Sequence, residues 1–296
     1  MTDKDMTWEE TREKLIDRCK AKAPDYYKEK REGVEKSFVP GKADTSKASA
    51  SVSPSNKYTL VMTPYATKEG CWNYTRGEVY LTEDYVKASV KEPRNTVVSK
   101  LKSLMYGPDP LPTPKKIGDI KRNYGQFPFA WIEGHADGHD YLVCGEDYQA
   151  VSIIQLDTCV TKHTLDPLAV MGAGWCPVRF YPSPNKQLLA VSGCGWACPF
   201  DIRFYDLRNP MELPWPLITT AYEHNDYQVW DKDSDVFSVT SEQEIRKSDG
   251  KPTDDLTEEE YEALENSDDD YCDYVDVTIS FTEEELMQKM SSDEEH

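Results

Sequence analysis

The chain has no long hydrophobic run. None of its apolar stretches approaches the roughly 18 consecutive residues that a membrane-spanning helix requires. The first residues, 1–5, are polar and lack the apolar stretch of a secretory signal. We therefore expect a soluble, cytoplasmic protein without a membrane partner. In that compartment the eight cysteines are expected to be reduced thiols.

Positive charge is also scarce. The 34 lysines and arginines are outnumbered by 54 aspartates and glutamates, which gives the 296-residue chain a net charge of -20. Nucleic-acid binding depends on basic side chains that neutralise phosphates, so no nucleic-acid partner is expected. Residues 240–296 hold 21 acidic and 4 basic side chains, which is most of the excess. We predict that residues 251–296 form an acidic, largely disordered tail containing a short helix capped by Thr257.

Signatures of catalysis are missing as well. The chain contains no glycine-rich phosphate loop, no His-Glu-Xaa-Xaa-His motif, no Gly-Xaa-Ser-Xaa-Gly motif and no kinase motif set. No cofactor is expected, and an enzyme is not the favoured interpretation.

Residues 1–50 indicate a helical extension followed by a linker. From Trp8 to about Tyr27 the apolar residues recur at helical spacing, behind Thr7 as a candidate N-cap. Residues 43–55 are small, serine-rich and poor in apolar side chains, which is typical of a flexible linker. The sequence thus predicts an N-terminal helix that is loosely joined to the main domain.

Residues 51–250 predict one mainly β domain. The segment Ser53-Pro54-Ser55-Asn56-Lys57 before an apolar strand is echoed by Ser183-Pro184-Asn185-Lys186-Gln187 before another. Leu142 and Leu189 lie 47 residues apart, close to the roughly 40–50 residues of a propeller blade. We therefore predict antiparallel, propeller-like blades of the WD40 type. The predicted core side chains are Trp131, Leu142, Val143, Ile153, Leu156, Leu189, Val191, Phe204 and Tyr205.

Four segments carry a resemblance to other proteins. They are Ser53-Pro54-Ser55-Asn56-Lys57, Trp72-Asn73-Tyr74-Thr75-Arg76-Gly77, Gly145-Glu146-Asp147-Tyr148-Gln149 and Cys194-Gly195-Trp196-Ala197-Cys198-Pro199. With them, over about residues 51–250, the chain resembles a family of uncharacterised propeller-like β proteins from bacterial and large-virus genomes. It departs from the family pattern at Asn56 and Ala150, where the family has glycine. The family has no assigned activity, so the resemblance implies the β fold and its bounds but no chemistry.

The loop at residues 145–149 is the main candidate site. It joins two apolar strands and brings Glu146, Asp147, Tyr148 and Gln149 together, with His139 in the preceding turn. The carboxylates could simply shape the turn by accepting hydrogen bonds from backbone amides. They could also bind a polar ligand or partner, hold a cation, or supply an acid and a base for hydrolysis.

Cysteine and tryptophan provide the other candidates. Cys176, Cys194 and Cys198 could converge on zinc, with Cys144 or His139 as a fourth ligand. The paired Cys-Xaa2-Cys spacing of structural zinc sites is absent, so buried reduced thiols and no bound metal are predicted.

Two tryptophans stand out as candidate contact residues. Trp215 lies between two prolines that favour an extended, accessible segment, and Trp196 lies in the loop at residues 194–200. Together with the main loop, these give the predicted partner-binding residues His139, Glu146, Asp147, Tyr148, Gln149, Trp196 and Trp215.

Two functional hypotheses follow. The favoured one is a non-enzymatic β scaffold that presents loops 145–149 and 194–200 and the acidic tail to a protein partner. The alternative is a hydrolase or metal-dependent enzyme that uses His139, Glu146 and Asp147. An enzyme needs these groups within hydrogen-bond reach of one another in a concave pocket, whereas a scaffold needs exposed aromatic and carboxylate side chains.

Overall fold

The chain folds into antiparallel β-sheets. A computed structural model describes residues 8–67, 73–89, 114–195, 200–223, 228–231, 233–265 and 271–293. The fold has three four-stranded sheets and one three-stranded sheet in these residues, which confirms a mainly β protein. Within the same residues, no helix combines the length and the apolar character needed to cross a membrane.

The chain divides into two compact units. Unit 1 comprises Met1–Pro177 with Pro210–Pro214, and unit 2 comprises Val178–Asn209 with Trp215–His296. The single β domain expected over residues 51–250 is therefore divided between two units.

Unit 1 consists of an N-terminal helix and two sheets. Its described residues include the helices α1 (Trp8–Glu35) and α2 (Thr82–Ser89), with short 3-10 turns at Pro40–Lys42, Thr45–Lys47 and Pro167–Met171. The first sheet contains β1 (Ser49–Val52), β2 (Tyr58–Tyr65), β3 (Tyr74–Leu81) and β4 (Lys116–Arg122), in that order. The second contains β5 (Phe129–Ile132), β6 (Tyr141–Gly145), β7 (Ala150–Gln155) and β8 (Val160–Leu165), also in order.

The two sheets of unit 1 share one core. Leu60 and Val79 of the first sheet pack in a cluster with Leu142 and Ile154 of the second, and all four are buried. Every residue of β6 is buried, which explains why its sequence is an uninterrupted apolar run rather than an alternating one. The core predicted for this unit is confirmed for Leu142, Val143, Ile153 and Leu156, while Trp131 is partly buried.

Unit 2 is built around two further sheets. The third sheet contains β9 (Cys176–Pro182), which begins at the unit boundary, then β10 (Leu188–Cys194), β11 (Phe200–Asp206) and β12 (Leu217–Glu223). The fourth contains β13 (Gln228–Asp231), β14 (Val236–Arg246) and β15 (Cys272–Thr282). Two helices, α3 (Glu258–Glu265) and α4 (Glu283–Asp293), flank β15 in the sequence. Leu188, Phe204, Phe237 and Leu286 belong to its fully buried core.

The repeat seen in the sequence has a structural counterpart in the turns. In three sheets, a four-residue turn precedes the second strand. The amide of the fourth turn residue donates a hydrogen bond to the carbonyl oxygen of the first turn residue, at 2.8 to 2.9 Å. The same residue has a positive φ each time, a conformation that glycine and asparagine tolerate well. These residues are Asn56, Gly138 and Lys186. Asparagine therefore fits where the resembling family has glycine.

The N-terminal region is more ordered than the sequence predicts. Helix α1 continues to Glu35, and the expected linker at residues 43–55 contains β1, which pairs with β2. The pairing of Ala50 with Val61 and of Val52 with Thr59 fixes this segment at the edge of the first sheet. A serine-rich edge strand has the composition of a linker because little of its surface is buried.

The acidic C-terminal segment, residues 251–296, is likewise more ordered than the sequence predicts. Strand β15 pairs with β14 along all eleven of its residues, and Leu286 of α4 is fully buried. The average acidity of residues 251–296 hides an alternation of apolar residues through Val275, Val277 and Ile279. The predicted capped helix is confirmed as α3, since Thr257 Oγ1 accepts a hydrogen bond from the Glu260 amide.

Candidate functional site

The loop at residues 145–149 is a tight, buried connection from β6 to β7. The Gly145 amide donates to the Pro128 carbonyl, and the Glu146 amide donates to the Ala150 carbonyl, each at 3.0 Å. A side chain at Gly145 would displace the guanidinium of Arg122, which is itself buried, so the site favours glycine. Both carboxylate side chains of the loop are buried, which makes their partners decisive.

Glu146 lies at the centre of a polar network. Its Oε1 lies 3.3 Å from Arg31 Nε, and its Oε2 lies 2.9 Å from His163 Nδ1. The hydroxyls of Tyr27 and Ser152 both donate to Oε2. Burial alone would raise the pKa of Glu146, but the hydrogen bond with His163 and the charge of Arg31 outweigh it and leave the pKa below its ordinary value. Glu146 is therefore an ionised carboxylate with a nearly complete set of donors.

Asp147 is held by a second set of contacts. Its Oδ2 lies 3.2 Å from Lys30 Nζ, and its Oδ1 accepts from the Tyr148 amide at 2.6 Å. The Asp147 carbonyl accepts from Arg122 Nη1 at 2.8 Å. Burial lowers the pKa of the Arg122 guanidinium, against the opposing effect of the Asp147 charge. The loop thus rests on one buried arginine and faces a lysine.

The partners of both carboxylates come from helix α1. Tyr27, Lys30 and Arg31 occupy positions i, i+3 and i+4 and so lie on one face of the helix. Burial, followed by the nearby charge of Glu146, raises the pKa of Tyr27, so its hydroxyl remains a donor. The same face ends in Val34, which is buried. The candidate loop is therefore where α1 docks.

Sequence reasoning missed this docking, although a signal was present. A tyrosine, a lysine and an arginine at helical spacing, followed by Val34, form a stripe that is polar yet regular. Two acidic residues in a loop between two apolar strands require donors once buried. Matching the two patterns would have predicted the contact.

The other two loop residues also have internal roles. Tyr148 packs its ring against Tyr124, with 4.7 Å between centroids. Gln149 is buried and donates from Nε2 to the Gly174 carbonyl at 2.9 Å. The turn-shaping interpretation describes these contacts, with the addition of the docked helix.

His139 does not join the two carboxylates. It lies in the turn before β6, whereas the loop follows β6, and five residues of strand span about 13 Å. Its Nδ1 lies 2.7 Å from Asp157 Oδ2 in an ion pair whose side chains are 39% and 38% exposed. The arrangement proposed for a hydrolase is therefore not assembled.

Ser152 of β7 and His163 of β8 meet Glu146 of the loop, but not as a catalytic triad. Ser152 Oγ and Glu146 Oε2 both lie on the Nδ1 side of His163, at 2.8 and 2.9 Å. A triad needs the serine on one ring nitrogen and the acid on the other. Ser152 is also fully buried and inaccessible to a substrate.

The cysteine candidates do not form a metal site in the described part of the chain. Cys176 and Cys194 are buried thiols, and burial raises the pKa of the Cys144 thiol. No group of three or more His, Cys, Asp or Glu side chains that could hold a metal occurs among the described residues. Cys198 and Trp196 lie outside them.

Trp215 differs from its expected role. It is only 7% exposed and lies beside the ring of Tyr205, with 6.3 Å between centroids. The flanking prolines constrain the backbone, but they do not keep the indole on the surface. Burial of its large apolar area outweighs any tendency to remain accessible.

Comparison with known proteins adds one relative. The chain is 26% identical over 224 residues to an uncharacterized protein of Acanthamoeba polyphaga mimivirus, covering 73% of this chain and 75% of the viral protein. No model of a known protein family matches the chain. The similarity to an uncharacterised viral protein agrees with the resemblance drawn from the sequence and supplies no activity.

Proposed function

We propose that this protein is a non-enzymatic scaffold whose sheets act as propeller-like blades and present a surface to a protein partner. The observation that carries the proposal is the engagement of Glu146 and Asp147 by the protein's own helix α1. Groups that are buried and paired in this way stabilise the fold and are poorly placed for substrate chemistry.

The blade arrangement is the finer part of the proposal. Each sheet joins consecutive strands in sequence order, and the same turn recurs in three sheets. Radial repetition of such units is the plan of a propeller. Small-angle X-ray scattering tests it, because a closed ring of blades gives one compact scattering profile, whereas two separately tumbling units give an extended one.

The structure changes which surface a scaffold would use. Because Glu146 and Asp147 are buried and paired with α1, we place the proposed partner surface outside loop 145–149. Unit 2 carries an acidic exterior that includes the exposed residues Asp273 and Asp276. An acidic exterior favours a partner with a basic contact surface.

The test compares the full-length protein with two variants in a cross-linking capture from native extract, combined with metal analysis. A scaffold predicts that a captured protein, once purified, forms a saturable complex with metal-free protein. Asp147→Ala and Cys198→Ala should not abolish that complex. Stoichiometric zinc or calcium that is lost in either variant would contradict the proposal and favour a metal-dependent enzyme.

A further inference from the structure

The outer edge of β15 is unpaired among the described residues. Three sheets contain four strands each, but the fourth sheet ends at β15, which pairs with β14 on one side only. No described strand therefore occupies the position beside β15 that a fourth strand would fill. An exposed strand edge is a template for strand addition unless it is blunted.

The direction of the backbone amides can be read from two local contacts. The Tyr274 amide donates to Asp273 Oδ1 at 2.9 Å, and the Thr282 amide donates to Glu285 Oε2 at 2.8 Å, so both amides turn away from β14. In an antiparallel pair, alternate residues share one direction. The amides of Thr278 and Ser280 therefore also face outward, between two ends that carry local acceptors.

The side chains beside this edge are apolar on one face. Val275, Val277 and Ile279 alternate along β15, and Val275 and Ile279 are each 38% exposed. Helix α4 covers the next residue of this stripe, because Lys289 Nζ lies 5.8 Å from the centre of the Phe281 ring. The stripe thus continues from the core of unit 2 onto a partly exposed surface.

The negative charge around β15 determines which kind of strand could pair with its outer edge. Residues 240–296 contain 21 acidic and only 4 basic side chains, and two of those bases, Arg246 and Lys251, already pair with Glu260. A second copy of the chain would bring another net charge of -20 to the same place. A partner strand with basic side chains would instead be attracted.

Resting on the proposed scaffold function, we propose that the outer edge of β15 binds an extended segment of a partner protein in which aliphatic and basic residues alternate. The segment adds as a fourth antiparallel or parallel strand and accepts hydrogen bonds from Thr278 and Ser280. Its aliphatic side chains cover Val275 and Ile279, and its lysines or arginines face the acidic surroundings.

The experiment uses the full-length protein and a peptide of about ten residues that alternates valine and lysine, the length of a typical strand. Thr278→Pro removes one outward amide, and proline is tolerated where the amide does not serve the existing ladder. Thr278→Ala is the matched control that keeps the amide. A second peptide, N-methylated at alternate residues, removes the reciprocal bonds, in which peptide amides donate to β15 carbonyls, and requires no change in the protein.

We expect Thr278→Pro and N-methylation each to weaken binding at least about tenfold, which is the loss of one or two hydrogen bonds. Thr278→Ala should bind as the wild type does, and the Thr278 and Ser280 amides should gain protection from hydrogen exchange. If neither Thr278→Pro nor N-methylation weakens binding, the peptide is held by charge attraction alone and the proposal is overturned. Self-association abolished by Thr278→Pro would assign the edge to a second copy and would also overturn it.

The two proposals can fail separately. If the peptide does not bind, but the Thr278→Pro variant still forms the complex found in the cross-linking capture, the edge proposal is wrong and the scaffold remains. If neither wild type nor variant forms a saturable complex with any captured protein, the scaffold itself is contradicted.

Discussion

Replacing Glu146 with glutamine tests whether the loop at residues 145–149 serves to dock α1. The amide keeps the shape and can still accept from Tyr27 and Ser152, but it loses the charge opposite Arg31, which is 13% exposed. Removing one partner of a buried ion pair costs about 3–5 kcal/mol. Since the Arg31 guanidinium also donates to the Lys121 carbonyl, we expect the lower end, a loss of about 3 kcal/mol in the free energy of unfolding.

The control is a second histidine–carboxylate pair in the same unit. Asp157→Asn removes the charge opposite His139 with similar geometry, but both side chains are more than a third exposed, so the loss should be at most about 1 kcal/mol. Urea unfolding gives the free energy, and hydrogen exchange of α1 amides shows whether the helix opens. Equal effects of Glu146→Gln and Asp157→Asn would refute the docking role.

A double substitution sharpens the same test. In Glu146→Gln combined with Arg31→Met, no unpaired charge remains at the contact. The double variant should therefore be more stable than the sum of the two single losses predicts, by about 1 kcal/mol or more. Strict additivity would mean that the two side chains, 3.3 Å apart, are not coupled.

Three further outcomes are expected. The pKa of Glu146 is lowered in the fold, so the ionised carboxylate contributes stability above about pH 4.3, and this contribution is lost as the pH falls through the folded pKa. The difference in unfolding free energy between wild type and Glu146→Gln should therefore narrow in acid. A constant difference in urea unfolding across this pH range would contradict the prediction. Gly145→Ala should cost about 2 kcal/mol in urea unfolding by displacing the buried guanidinium beneath the loop, whereas Gly41→Ala, with open space around it, should cost little. Leu286→Ala should destabilise unit 2 by about 2–5 kcal/mol in thermal or urea unfolding, and Leu217→Ala, an exposed leucine, should not; equal effects would mean that α4 is not part of the core.

Local sequence patterns predict the β strands and turns, because each depends mainly on residues close to it in the sequence. The apolar run from Tyr141 to Cys144 predicts a buried strand, and the whole of β6 is buried. The Ser-Pro turns before β2 and β10 predict the repeat, because the turn needs one residue with positive φ and a local acceptor. These features depend on neighbours within a few residues.

The candidate site could not be predicted as fully, because its partners are distant in the chain. The sequence singles out Glu146 and Asp147, but their donors lie on a helix about a hundred residues earlier. The acidic composition of the C-terminal residues wrongly indicated disorder for β15, because the apolar residues that alternate around Val277 lie among many acidic ones. The sequence was also misleading for Trp215, whose burial depends on packing that flanking prolines do not reveal.

The distance along the chain between α1 and its docking loop has a consequence for biosynthesis. Tyr27 and Glu146 are 119 residues apart, so the helix leaves the ribosome long before its partner carboxylates exist. In isolation α1 has little to stabilise it, because Pro24 interrupts its hydrogen bonds and its binding stripe is polar. The α1 segment therefore stays undocked, and accessible to chaperones and proteases, until the second sheet of unit 1 has been translated.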